Sequence, residues 1–155
     1  ALGRMDGGDE ATTYQREIDE QLWNVVRAAV AHNDARLLAT TYHADAVLVA
    51  QQATTPVAKQ MHAWSENMDK LKAERRSASV AFRFHSRWAD ATTAFECGLF
   101  RYTETTAEGG DDVRVVPPKI VGFEALLVKL CNRWRMVMER QLEAADELAW
   151  DELQR

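Results

Sequence analysis

Glu124, Arg140 and Tyr102 are the side chains whose types and spacing best suggest chemistry. In the run 120–130, Leu126, Val128 and Leu130 alternate with Leu127 and the charged Lys129. In the run 134–142, Trp134, Met136 and Met138 alternate with Arg133, Arg135 and Glu139. A period of two describes strands half buried in a sheet, and the short connector Cys131-Asn132-Arg133 makes them an antiparallel hairpin. Counting by twos puts Glu124 on the face of Leu126 and Val128, and Arg140 on the face of Trp134 and Met136. A carboxylate on an apolar wall loses hydration, which raises its pKa and suits it to acid/base work unless a cation such as Arg140 holds it ionised. Arg140 or Tyr102 would then stabilise an oxyanion. The plainer alternative makes Glu124 a wet residue at an open end and Tyr102 a packed strand aromatic.

Other chemistry is less well supported by spacing. His32, His43, His62 and His85 do not cluster at metal spacing, so no metal is expected. His62 reads as solvated, His43 as a helix C-terminal cap, and His85 as sharing a polar strand face with Arg83 and Arg87. Cys97 and Cys131 form no C-x-x-C, which argues against a disulfide framework or zinc site and fits a reducing cytoplasm. The formal net charge of -5 over 155 residues excludes a large basic footprint for nucleic acid. No apolar run reaches the length of about 18 residues that crosses a bilayer.

The elements that would position these residues follow in order. Residues 1–13 read as a disordered tail that starts with a cloning remnant ahead of Met5. Over 14–32, Ile18, Leu22, Val25, Val26, Ala29 and Val30 recur at helical spacing behind a Thr12 or Thr13 cap. Asp34 caps a short second helix through 35–41, and 46–50 is a brief strand. Thr55 as cap and Pro56 as first residue announce a third helix with the stripe Val57, Met61, Trp64, Met68 and Leu71. Strands are predicted over 77–88 and 92–105, then a mobile loop over 106–112. Residues 113–116 extend either the preceding or the following strand. On 77–88 the even positions Ala78, Val80, Phe82, Phe84 and Trp88 make that face mostly apolar, and on 92–105 Tyr102 shares its face with Glu96, Gly98, Phe100 and Glu104. The domain spans 14–142, and 143–155 reads as a helical extension that lids the pocket, docks on a dimer mate or stays mobile.

Segregated helices and strands argue for an α+β layer in which the long strands curl into a half-open cone. The series Asn33-Asp34, Tyr42-His43-Ala44-Asp45-Ala46-Val47 and Arg133-Trp134-Arg135-Met136 resembles the SnoaL-like branch of the NTF2-like superfamily over roughly residues 14–142. That superfamily includes ketosteroid isomerases, polyketide cyclases, scytalone dehydratase and limonene epoxide hydrolase. The resemblance implies a strongly curved antiparallel sheet wrapped around N-terminal helices as a cone-shaped α+β barrel (cystatin-like), a deep apolar pocket and a homodimer through the convex sheet face. It implies no activity directly. The isomerase's base would fall at Ala50, followed by Gln51 and Gln52, its tyrosine near Val26 and its protonated acid near Leu126. The epoxide hydrolase's Arg-x-Asp occurs only as Arg4-Met5-Asp6.

Trp23, Val26, Met61, Trp64, Met68, Leu126, Val128, Trp134, Met136 and Met138 form the soft apolar set that would line such a pocket, although periodicity alone fits a filled core equally well. Two readings follow. One is a cofactor-independent enzyme of isomerase, cyclase, dehydratase or epoxide-hydrolase type acting on an apolar molecule. The other is a non-catalytic ligand-binding or dimeric interaction domain without the family's acid/base residues.

Overall fold

Helical apolar spacing near the N-terminus is realised as α1, residues 12–31, in the computed structural model, which describes residues 12–105 and 117–153. The middle of α1, Asp19–Trp23, is wound as a π-helix before Asn24–Ala31 resumes the α-helix. A widened turn re-aims the helix face, and here the consecutive Leu22 and Trp23 are both buried. The expected Asp34 cap forms, accepting from the Leu37 amide at 3.0 Å and starting α2, Ala35–Ala39. Thr54–Pro56 pairs as a short strand, so α3, Val57–Ala73, begins one residue after Pro56 and has no side-chain cap. The expected tail, the 106–112 loop and the segment 113–116 lie outside the described residues, apart from Thr12 and Thr13 in α1.

The strands are β1 (Tyr42–Val49), β2 (Thr54–Pro56), β3 (Ala78–Ala89), β4 (Thr93–Glu104), β5 (Lys119–Leu130) and β6 (Arg133–Ala145). They form one open sheet in the order β2-β1-β6-β5-β4-β3. All described pairings are antiparallel except β1 with β6, which is parallel. The β5–β6 hairpin turns on Cys131 and Asn132, both at positive φ, the backbone a two-residue type I′ turn requires.

Two of the sheet's register shifts, one on β3 and one on β6, decide which side chains face inwards near the site. On β3 the register slips between Phe84 and Ser86, leaving His85 unpaired. On β6 it slips between Met136 and Met138, leaving Val137 unpaired. Each extra residue inverts the alternation beyond it. Arg87 therefore turns to the concave face and Trp88 away from it, 62% exposed. On β6, Glu139 and Gln141 turn inwards, while Met138 and Arg140 turn outwards. The slip on β3 also needs Gly98, where a Cβ would lie 2.0 Å from the Arg83 carbonyl oxygen. One row of paired residues then crosses the concave face as Leu48, Glu139, Ala125, Glu96 and Arg87.

The core fills the space between the helices and this face. Trp23 stands at its centre, with ring centroids 4.8 Å from Phe82, 5.5 Å from Phe84 and 5.4 Å from Phe123. Leu22 and Ile18 are wholly buried, so Leu22→Ala would cost about 2–5 kcal/mol. The C-terminal helix α4, Glu147–Glu152, does not cover the mouth of the cone. It docks in cis on the convex side, where the Arg83 guanidinium lies 4.4 Å from the Trp150 ring centroid and donates to the Trp150 carbonyl at 2.6 Å.

Candidate functional site

Curvature of the sheet around α1, α2 and α3 leaves a cavity of about 330 Å³, at the low end for small-molecule sites. Val30, Trp64, Met68, Phe100, Tyr102 and Gln141 form much of its wall. A chamber of about 100 Å³ adjoins it, shares Val30, Tyr42, Phe100 and Gln141, and ends against Trp23, Phe123 and Met136.

Polar groups enter this apolar space at two places. At the inner end, the Tyr42 hydroxyl donates to Glu139 Oε1 at 2.6 Å and the Gln141 amide donates to Oε2 at 2.8 Å. Burial, then the Glu139 charge and their hydrogen bond, hold the Tyr42 phenol well above the ordinary tyrosine range, so it stays a donor at any physiological pH. Among the described residues Glu139 has no cationic partner. Nearer the mouth, Tyr102 donates to Glu104 Oε1 at 2.8 Å, and Arg76 reaches Glu104 Oε2 at 3.1 Å. Burial, reinforced by the bond to Glu104, raises the Tyr102 pKa as well. Asn33 borders the same cavity at φ 51°, a left-handed position that asparagine tolerates. Its Nδ2 donates to the Arg76 carbonyl at 3.3 Å, while its Oδ1 is buried without a partner.

The residues expected from spacing divide between the two faces. Trp23, Val26, Trp64, Met68, Tyr102 and Met136 border the cavity or its inner chamber. Met61 packs on the core without lining either space. Trp134 is 1% exposed and donates through Nε1 to Glu17 at 3.0 Å. Glu124, Leu126 and Val128 lie on the convex face, because Phe123, Ala125 and Leu127 are the β5 residues that meet the core. Met138 and Arg140 join them there. Glu124 and Arg140 do meet, at 3.1 Å, but as a partly exposed ion pair outside the cavity. His43 belongs to β1 rather than to a helix end, and its Nδ1 accepts from the Asp45 amide at 3.0 Å. Among the described residues no group of three His, Cys, Asp or Glu side chains could hold a metal.

Tyr42, Glu139, Gln141 and Asn33 were not singled out by spacing. Glu139 was counted on the outer face of its strand, and a bulge that reverses it leaves no mark in an alternating pattern. Glu96 was likewise missed as a buried charge. It is 1% exposed, accepts from Trp23 Nε1 at 2.7 Å and is clamped by Arg87, which also reaches Asp19 at 2.7 Å. Burial works to lower the Arg87 pKa, but the bonds to Glu96 and Asp19 outweigh it and hold the guanidinium charged. Beside this cluster a polar groove of about 550 Å³ opens along α1 and β3.

No protein-family model matches the sequence, and no curated protein gives a significant match to it. Solved structures are similar in fold. A conserved protein from Planctomyces limnophilus is 12% identical with a TM-score of 0.67, covering 86% of this chain and 99% of its own. An NTF2-like superfamily protein from Salmonella enterica serovar Typhimurium is 13% identical with a TM-score of 0.66, covering 87% and 94%. A ketosteroid isomerase-like protein from Erwinia carotovora atroseptica is 17% identical with a TM-score of 0.56, covering 84% and 95%. With an open curved sheet closed on one side by helices, the chain has the cone-shaped α+β fold of the NTF2-like superfamily.

Proposed function

We propose that the protein binds a small, largely apolar molecule in the concave cavity, with Glu139 as its polar anchor. The observation that carries this is a carboxylate held by Tyr42 and Gln141 beside an apolar chamber in the cone. Apolar walls contribute affinity, and the few convergent polar groups set orientation. Any acid/base chemistry in this site runs through Glu139 rather than Glu124, whose pair with Arg140 lies on the convex face. Tyr102 is a weaker oxyanion donor than its position suggests, because its hydroxyl is already committed to Glu104.

The test is thermal denaturation against a panel of apolar probes that carry one polar group, run beside a turnover assay on ketosteroid, epoxide and cyclase substrates. A ligand at a hundred times its Kd stabilises by about 2.7 kcal/mol, a shift of several degrees for a domain of this size. Phe100→Trp, which fills the cavity, should abolish that shift. A panel without any effect on the unsubstituted protein, or a shift that survives Phe100→Trp, overturns the reading.

A homodimer through the convex face is the second proposal. Trp88 is 62% exposed there and stacks on Phe95 with centroids 6.2 Å apart, beside the half-buried Leu126, Val128 and Met138. Contiguous apolar surface of this kind marks association sites. Sedimentation equilibrium of the protein and of Trp88→Glu checks it, and a monomer at micromolar concentration without the substitution would sink it.

A further inference from the structure

Donors and acceptors around the cavity are unequally committed. Both tyrosine hydroxyls that border it already donate to carboxylates, Tyr42 to Glu139 and Tyr102 to Glu104. A ligand carbonyl or oxyanion would have to displace one of these bonds to reach a tyrosine hydroxyl. The acceptors remain open. Each Glu139 oxygen accepts one described hydrogen bond and has a lone pair left. Asn33 is 6% exposed with its Oδ1 buried and unpartnered. A buried acceptor without a donor carries a desolvation cost that a ligand N–H or O–H removes.

Charge points the same way. Arg76 is committed to Glu104 and Glu74, and Lys119 is exposed at the mouth, so the described residues leave Glu139 without a cation. A carboxylate held in an apolar space by neutral donors gains most from a positive partner. The walls suit one too. Tyr42 and Trp64 present rings with centroids 5.9 Å apart, and Phe100 lines both spaces. Aromatic faces attract organic cations.

We infer that the cavity takes an organic amine, an apolar body whose ammonium group meets Glu139 and whose second donor, a hydroxyl or amide N–H, faces Asn33. The inference rests on the ligand-site reading above and names its ligand class. Ammonium N–H groups supply donors to the open acceptors of Glu139 and Asn33, and their charge offsets that of Glu139. A carboxylic acid would meet Glu139 and Glu104 with like charge, and a ketone would bring a further acceptor.

Three probes of one shape separate the outcomes: 2-naphthylmethylamine, 2-naphthylmethanol and 2-naphthoate, titrated calorimetrically at pH 7 and low salt into the protein and into Glu139→Gln. A glutamine at this position still accepts from Tyr42, so the fold is retained. The amine should bind at least about tenfold more tightly than the alcohol, since both donate to the Glu139 carboxylate but only the ammonium brings it a counter-charge, and naphthoate should be weakest. In Glu139→Gln the ratio of amine to alcohol should fall to within about twofold. Alcohol binding as tight as amine binding, or an amine preference that survives Glu139→Gln, overturns the inference and leaves the ligand site standing. Failure of all three probes to bind the unsubstituted protein overturns both.

Discussion

Glu96 and Glu139 stand in the same row of the concave face, one on each side of Ala125, yet their surroundings differ completely. Glu96 is sealed, with Arg87 and the Trp23 indole as partners and 1% exposure. Glu139 is held by two neutral donors beside a cavity. A buried charge that has its counter-charge closes a structure, even with a polar groove beside its partners. A charge that has donors but no counter-charge, next to free space, is where a ligand still has something to supply. That contrast separates the site from the scaffold more sharply than residue type does.

The comparison is most easily broken at Arg87. Arg87→Met leaves Glu96 buried with only the Trp23 N–H, and should cost about 3–5 kcal/mol in denaturant unfolding. The double substitution Arg87→Met with Glu96→Leu should recover most of that loss, because an apolar pair replaces a buried ionic one at little cost. A single substitution that loses less than about 1 kcal/mol would mean that Glu96 is not sealed after all.

At the other carboxylate the effects should be smaller. Tyr42→Phe removes a hydrogen bond to a charged group and should cost about 1.5 kcal/mol, at the low end because water can enter the cavity. The same unfolding experiment should show Glu139→Gln costing less than Tyr42→Phe.

A third carboxylate, Glu17 on α1, lies between these extremes. Lys129 donates to it at 2.7 Å and Trp134 at 3.0 Å. The bond from Lys129, then that from Trp134, lower its pKa from 4.5. A depressed folded pKa contributes stability that is present above the unfolded value and lost as pH falls through the folded one. Stability should therefore fall below about pH 4.5, with a shallower fall in Lys129→Met, read from unfolding midpoints across pH. Equal slopes for the two proteins would remove Glu17 from the set. The smallest effect belongs to Glu124→Gln. Its pair with Arg140 is partly exposed on the convex face, so unfolding free energy should move by no more than about 0.5 kcal/mol.

Much of the fold was legible because apolar spacing records burial directly. The stripe of α3, the Asp34 cap, the hairpin turn and the shared face of Phe100, Tyr102 and Glu104 on β4 stand where alternation and capping place them, although alternation left open which face of β4 turns inwards. The site was less legible. On β5 the charge on Lys129 argued for an outward odd face, but Glu17 on α1 compensates that charge across 112 positions of sequence. Leu126 and Val128 are apolar because the convex face is itself half buried, and an alternating pattern does not say which of two apolar faces is concave. On β6 one unpaired residue, Val137, exchanged Arg140 for Glu139 and Gln141.

The sequence by itself determined the order of the main helices and long strands and that they separate into an α+β layer, because periodicity and capping are local properties of the chain. Only the tertiary structure decided which carboxylate faces the cavity. That choice depends on strand register and on partners such as Arg87, Tyr42 and Lys129 brought from distant positions, and a single bulge is enough to reverse it.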